Sequence, residues 1–315
     1  MTPKTLKIGN IVLPTNIIQA PLAGYTDFKY RKNCLKYGSG LCFTEMVSAK
    51  GLYYGSEKTE ELLRLGNTET VKATQIFGNE PEIMREVIES EVLAPFDIID
   101  INMGCPVPKI YKNGEGSALI ENLELVGKIV SACSKTNKII TVKTRIGIHD
   151  GDKQVLEFCK VVEGSGAQML TVHGRVKDAY YSGAVDFDTI KKVKQSVKIP
   201  VIANGGVFDK KSCDELYEKT GADGVMIARG SIGRPWIFSE VVGKNVEVDV
   251  KGTMLDHLYS LADAFGEKYA CADFRKFYAY YLKGIPCKEQ KIRLMTSSTL
   301  EEATSIINEI NFNIK

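Results

Sequence analysis

Short apolar runs rich in β-branched residues recur along this chain at a similar spacing. They are Ile17 to Pro21, Leu41 to Met46, Ala73 to Phe77, Ile98 to Asn102, Ile139 to Lys143, Met169 to His173, Pro200 to Asn204 and Val225 to Ala228. Between them lie segments in which apolar residues return with a helical period, among them Pro81 to Leu93, Leu123 to Ser134, Lys153 to Glu163, Phe187 to Val197 and Asp209 to Lys219. Strand and helix units in alternation predict a parallel sheet. Strands that are apolar on both faces are buried on both, and right-handed crossovers can close eight of them into a ring. The expected class is therefore α/β, a (β/α)₈ TIM barrel, with an open doubly wound sheet as the alternative.

Length and composition refine that picture. With 315 residues and 44% apolar positions the chain can fill one barrel core and a modest appendage. The division is expected near Val241-Val242-Gly243-Lys244-Asn245, giving a barrel over 1–244 and a small all-helical domain over 245–315. The cysteines at 34, 42, 105, 133, 159, 213, 271 and 287 include no Cys-x-x-Cys pair, and no signal-like stretch opens the chain. They read as reduced thiols in the cytoplasm. No apolar run approaches the roughly 20 residues needed to cross a bilayer, so no membrane span is expected.

A barrel of this kind carries its chemistry where the strands end, at the C-terminal rim. Polar residues and glycines collect there. The first run ends in Ala20-Pro21-Leu22-Ala23-Gly24, the third carries Gln75, the fourth ends in Asn102 and the fifth in Lys143 and Arg145. The last three end in His173-Gly174-Arg175, Asn204-Gly205-Gly206 and Ala228-Arg229-Gly230. Just beyond the fourth run, in Asp100-Ile101-Asn102-Met103-Gly104-Cys105-Pro106-Val107-Pro108-Lys109, stands a thiol that can serve as a proton donor. On this decapeptide alone, a half-buried cysteine in a turn is the competing explanation.

Glycines after the seventh and eighth runs let backbone N–H groups approach an anion, which describes a phosphate cup to which Arg229 adds charge. Lys143 and His173 can face an electron-rich cofactor ring. The chain has neither a Gly-x-x-x-x-Gly-Lys-Ser/Thr loop nor a convincing Gly-x-Gly-x-x-Gly after the first strand, so a mononucleotide such as FMN fits better than ATP or tightly held NAD.

In several long motifs the chain resembles the tRNA-dihydrouridine synthases, flavoenzymes that reduce uridine in folded RNA. The motifs are Ala20-Pro21-Leu22-Ala23-Gly24-Tyr25-Thr26-Asp27, Thr44-Glu45-Met46-Val47-Ser48-Ala49, Gln75-Ile76-Phe77-Gly78 and Asn102-Met103-Gly104-Cys105-Pro106 in the first half. Val142-Lys143-Thr144-Arg145, Val172-His173-Gly174-Arg175 and Ala228-Arg229-Gly230 follow, and Gly233-Arg234-Pro235-Trp236-Ile237-Phe238 is similar to the bacterial B-type branch. The chain departs from the pattern at Gly206, where many relatives have Asp, and at Ala228, where Gly is frequent.

The resemblance implies that NADPH reduces FMN, that hydride passes to C6 of a uracil and that Cys105 protonates C5. It further implies that Pro21, Leu22 and Ala23 lie under the flavin, that Gln75 bonds the ring edge and that Lys143 offsets charge on the reduced ring. Asn204, Gly205, Gly206, Ala228 and Arg229 would hold the phosphate end, while Asn102, Arg145 and His173 would fix the uracil. A thiol that donates a proton must be protonated beforehand, so no basic group should sit against its sulfur.

The target base must swing out of folded RNA, and phosphate contacts must supply the energy. A net charge of only +2 is small for that, but Arg275, Lys276, Lys283, Lys288, Lys291 and Arg293 cluster against Glu289 alone, interleaved with Phe277, Tyr278, Tyr280 and Tyr281. Alone, this run reads as a solvated helix face over a buried aromatic stripe; the resemblance makes residues 245–315 the tRNA-binding part, with Lys283 and Lys291 as contacts. Elsewhere His149-Asp150-Gly151-Asp152 reads as a loop capping the helix that starts near Lys153 rather than a metal site, and no metal is expected. Asp27 should cap the first barrel helix, Cys34 and Cys42 should pack, and His257 should lie on a surface helix without a partner. A monomer with no obligate protein partner is expected. The alternatives are the same chemistry on ribosomal RNA, a small-molecule FMN reductase of the dihydroorotate, dihydropyrimidine or ene-reductase kind, and an idle RNA-binding protein that keeps the fold.

Overall fold

The computed structural model describes residues 2–152 and 154–312. A short antiparallel hairpin, β1 (Leu6–Ile8) and β2 (Ile11–Leu13), precedes the barrel strands β3 (Ile17–Gln19), β4 (Leu41–Ser48), β5 (Ala73–Phe77), β6 (Ile98–Met103), β7 (Ile139–Arg145), β8 (Leu170–His173), β9 (Val201–Asn204) and β10 (Gly224–Ile227). β3 to β10 are parallel and pair in sequence order, and β10 returns to β3, so the ring is closed. The (β/α)₈ expectation holds, and the open sheet is excluded.

The helices between strands are α1 (Phe28–Lys36), α2 (Ala49–Tyr53), α3 (Glu57–Glu61), α4 (Pro81–Glu89), α5 (Pro108–Lys112), α6 (Leu123–Cys133), α7 (Val155–Gly164), α8 (Phe187–Ser196) and α9 (Lys210–Thr220). After β10 come α10 (Ile237–Glu240), α11 (Val250–Phe265), α12 (Glu267–Tyr281), α13 (Lys288–Leu294) and α14 (Leu300–Asn308). Lys153, where the sequence starts one helix, lies outside the described residues. No helix among the described residues is long and apolar enough to cross a membrane.

Strand alternation sorts the apolar residues into two cores. Ile18, Ala20, Phe43, Ala73, Ile98, Ile139, Met169, Ile202 and Met226 form one cluster with Leu6, Ile8 and Leu13, so the hairpin closes the bottom of the barrel. Their strand neighbours, such as Ile17, Ile99, Ile101, Ile140, Val142, Leu170, Val172, Val225 and Ile227, join the helices in the other.

The C-terminal helices dock on α1 through a buried polar joint. Asp27 caps α1 by accepting from the N–H groups of Lys29 and Tyr30, as expected, and also meets His257 Nε2 at 3.0 Å. His257 Nδ1 lies 3.1 Å from the Tyr281 hydroxyl. The expectation of a surface His257 without a partner is thus corrected: it is fully buried on the face of α11 that carries Met254, Leu258 and Leu261, while its neighbour Asp256 faces solvent and pairs with Lys29. The aromatic residues of the basic segment form the buried stripe that the run alone suggests: Phe274, Phe277, Tyr278 and Tyr281 are core residues of α12, and Tyr280 packs on Tyr25, so these rings hold the fold. Gly233 lets the chain after β10 pass close to the end of α12, since a Cβ there would stand 2.5 Å from the Tyr281 nitrogen at φ +63°.

Arg31 anchors α1 to the long β4–β5 connection. Completely buried, it bonds Glu69 through Nε at 3.1 Å and Nη2 at 2.9 Å, and the carbonyls of Thr26 and Arg64 at 2.7 Å each. Such a pair holds a segment because removing one partner strands the other charge out of water. Arg31→Met is therefore expected to cost about 3–5 kcal/mol in urea unfolding, and Arg31→Met with Glu69→Leu distinctly less. A double variant as unstable as the single would contradict this.

Candidate active site

Towards the C-terminal end of the barrel the inward positions turn from apolar to polar. In β6 they run Ile98, Asp100, Asn102; in β7 Ile139, Thr141, Lys143, Arg145; in β8 Thr171 and His173, with Met169 just before the strand. In β5 Ala73 gives way to Gln75, and in β9 Ile202 to Asn204. With side chains alternating by twos, this gradient lifts every polar group to the mouth.

The expected cofactor residues, Pro21 to Ala23 from the loop after β3, Gln75, Lys143, His173, Asn204 to Gly206, Ala228 and Arg229, all line one pocket. Asn102, Cys105 and Arg145 line it too. Lys283 and Lys291 do not: Lys283 is exposed beyond α12, and Lys291 on α13 reaches back to the Ile285 carbonyl at 3.5 Å.

Cys105 is only 8% exposed. Its backbone N–H and that of Gly104 donate to Asn102 Oδ1 at 2.9 and 3.1 Å, and its carbonyl accepts from the backbone and hydroxyl of Ser117. Burial pushes the thiol above its ordinary range, outweighing the Val107 N–H and the charges of Arg145 and Lys143, so it stays protonated at neutral pH.

Burial also pulls Lys143 down to about 8, helped by Arg145 and opposed by Asp100. Asp100, beneath it, is pushed up to about 6 by burial, against hydrogen bonds from Gln75 and Thr141 and the charge of Lys143. His173 is held neutral, far below its usual range, by burial and by Lys143, Arg145, Arg175 and Arg229. Because Arg175 Nη1 can only donate across the 3.3 Å to His173 Nε2, the imidazole proton sits on Nδ1.

Four cations thus converge on one pocket, a field that suits a phosphate and an electron-rich ring. At Gly205, φ is +124° and a Cβ would stand 2.9 Å from His173 Cδ2; at Gly230 it would stand 2.2 Å from the Val207 carbonyl. Only glycine leaves the mouth open there, and these residues fit FMN.

Arg145 is less free than a base-reading residue: it donates to the carbonyls of Gly104, Val176 and Tyr180 at 2.9, 3.0 and 2.7 Å. Sequence reasoning gave no role to Arg175, Tyr181 or Phe208, which also line the pocket. Arg175 follows His173 by two and so shares its alternation. Tyr181, 51% exposed, lies under the Arg229 guanidinium at 4.7 Å, in a loop with no periodic signal. The expectation that the loop His149 to Asp152 caps the following helix is corrected: Asp152 accepts from the N–H groups of Ile148 and His149 within its own loop, His149 bonds Asp178, and α7 starts after Gln154 without a side-chain cap. No group of three or more His, Cys, Asp or Glu among the described residues could hold a metal.

Residues 18–313 match the model of the Dihydrouridine synthase (Dus) family. The chain is 36% identical over 292 residues to a probable tRNA-dihydrouridine synthase of Rickettsia conorii, covering 89% of this chain and 88% of that one. It is 36% identical over 288 residues to tRNA-dihydrouridine synthase B of Vibrio parahaemolyticus, covering 88% and 89%. Among solved structures, histamine dehydrogenase from Rhizobium sp. 4-9 shares the fold with a TM-score of 0.57 at 13% identity over 74% of this chain and 46% of that one. 2-Naphthoyl-CoA reductase does so with a TM-score of 0.56 at 11% identity, over 75% and 51%.

The protonated thiol has a chemical signature. Alkylation of Cys105 by iodoacetamide, followed by mass spectrometry, should be slow at pH 7 and accelerate only above the ordinary thiol range of about 8.5. Rapid labelling at pH 6 would mean a thiolate and contradict the assignment.

Proposed function

Because the chain belongs to the dihydrouridine synthase family, we propose that its barrel mouth reduces uridines of tRNA to 5,6-dihydrouridine, using FMN and NADPH. The observation that carries this reading is the buried, protonated Cys105 thiol in the same pocket as the glycine-lined cationic cup. Pro21, Leu22 and Ala23 would support the flavin ring, Gln75 its edge, and Asn204, Gly205, Gly206, Ala228 and Arg229 the phosphate. Bound FMN, once reduced by NADPH, supplies a hydride to C6 of the uracil.

Cys105 then gives its Sγ proton to C5, so that the C5–C6 double bond gains one hydride and one proton. A thiol suits this step because it can hold the proton at neutral pH and is re-protonated from solvent after each turnover. Lys143 would offset negative charge on the reduced ring, while Asn102 and Arg145, the latter through its Nη2 group, would orient the uracil. Neutral His173 adds a hydrogen bond without adding charge.

Swinging the base out costs a few kcal/mol, which phosphate contacts must offset. We assign those contacts to residues 245–315, with Lys283 and Lys291 as representatives, and leave the buried rings of α12 out of the footprint. Eight unpaired thiols suit a cytoplasmic enzyme; that it acts as a monomer without an obligate protein partner belongs to the same proposal.

The deciding experiment incubates unmodified tRNA and ribosomal RNA with the protein, FMN and NADPH and measures dihydrouridine by mass spectrometry. Conversion at a defined tRNA position is expected. Conversion in ribosomal RNA alone would change the substrate, and turnover of free uracil, uridine or enones in place of RNA would replace the reading by a small-molecule reductase. Cys105→Ala should slow conversion by about 10²–10⁴ while retaining FMN. Lys283→Glu with Lys291→Glu should weaken tRNA binding and lower its salt slope by about one for each phosphate no longer neutralised. An unchanged slope would remove these lysines from the footprint.

A further inference from the structure

Below the pocket runs a line of hydrogen bonds whose direction is set at both ends. At one end the Asp100 carboxylate, 1% exposed, accepts from Gln75 Nε2 and Thr141 Oγ1, each at 2.6 Å. At the other, the N–H groups of Gly104 and Cys105 donate to Asn102 Oδ1. Between them Asn102 Nδ2 donates to Gln75 Oε1 at 2.8 Å. A carboxylate only accepts and a backbone N–H only donates, so both intervening amides have a single orientation. Strand register brings the parts together, since Asp100 stands opposite Gln75 on β5 and Thr141 on β7.

We propose that Asp100 is a positioning residue for uridine reduction: it fixes the orientation of the Gln75 and Asn102 amides and, through Asn102, anchors the turn that carries Cys105. The proposal rests on the function given above. With these bonds made, Gln75 keeps one amide N–H in reserve and meets the pocket as a donor, while the second N–H of Asn102 points at Met46 Sδ, 3.6 Å away. Donors accept a ring carbonyl and reject a ring amino group, which gives the line a part in choosing what lies in the pocket.

The carboxylate directs the line from the Gln75 end, as the N–H groups of Gly104 and Cys105 do from the Asn102 end. With Asn at 100, an N–H can face Gln75 and turn it over. Asn102 must then also turn, directing its Nδ2 at the N–H groups of Gly104 and Cys105, or leave two donors facing each other. The reversed arrangement, closed to the carboxylate, becomes accessible at the cost of bonds at the far end, and where Asn102 turns the thiol-bearing turn loses its anchor.

The test compares Asp100→Asn with Thr141→Val, which removes the other bond of Asp100 but leaves the amides directed. In the holoenzyme, Asp100→Asn should lower kcat on tRNA by about tenfold at unchanged KM and raise iodoacetamide labelling of Cys105 several-fold. Thr141→Val should stay within about twofold of wild type in both. Gln75→Glu in the Asp100→Asn background moves the acceptor one place along the line, and it should restore slow labelling of Cys105 even where flavin binding is altered. Labelling and kcat of Asp100→Asn equal to those of Thr141→Val would overturn the proposal. Were Asp100→Asn too unstable to assay, a pair that folds yet labels as fast as unfolded protein would do the same. Wild-type protein that leaves tRNA uridine unchanged would instead overturn the functional reading, while the labelling comparison still judged the hydrogen-bond line.

Discussion

Closure of the strand ring governs this molecule. Once β10 pairs with β3, every second residue of eight strands is committed to a space that water reaches only through the mouth. That space must be filled with apolar side chains or with polar ones that satisfy one another. The chain does the first at the bottom, where the hairpin packs under Ile98, Ile139 and Met169, and the second at the top. A gradient along each strand, written in steps of two, is enough to make a sealed floor and a reactive rim from one sheet.

Electrostatics at that rim is decided by burial. Lys143 and Arg145 both favour the thiolate of Cys105, yet the thiol is shifted upward, because loss of solvent outweighs two cations that are themselves committed elsewhere. Arg145 spends three N–H groups on carbonyls, and Lys143 is itself drawn towards neutrality. The same low-dielectric setting keeps His173 uncharged. The pocket thus pairs concentrated positive charge, useful to an anion, with a thiol that this charge does not ionise.

The barrel was legible because its signal repeats. Ala73–Phe77 is one of the runs that became a strand with the very bounds its apolar pattern suggests, and the rim residues follow by alternation from residues already assigned inward. What escaped had no repeat to betray it. The hairpin strands are three residues each, too short for a period of two to declare itself. His257 pairs with a carboxylate 230 positions away, so its local sequence, a histidine beside an aspartate, suggested a surface. The rings of α12, by contrast, were legible as a buried stripe although interleaved with cations, and helical geometry turns Phe274, Phe277, Tyr278 and Tyr281 inward together. The lip formed by Tyr181 and Phe208 belongs to loops, whose shape depends on distant arginines.

The joint at Asp27 has a bearing on how such a protein can diverge. Asp27 both starts α1 and holds His257, and it lies only four residues beyond Ala23 at the edge of the pocket floor; Tyr25, between them, packs edge-on against Phe277 and Tyr280. The helical region is therefore not an attachment that can be exchanged or re-angled at leisure, because its seat is cut into the same loop that frames the reaction. A change in how the helices sit must either keep this histidine and aspartate together or rebuild the loop around a different pair. The helical region and the floor of the pocket are tied by this pair into one packed unit.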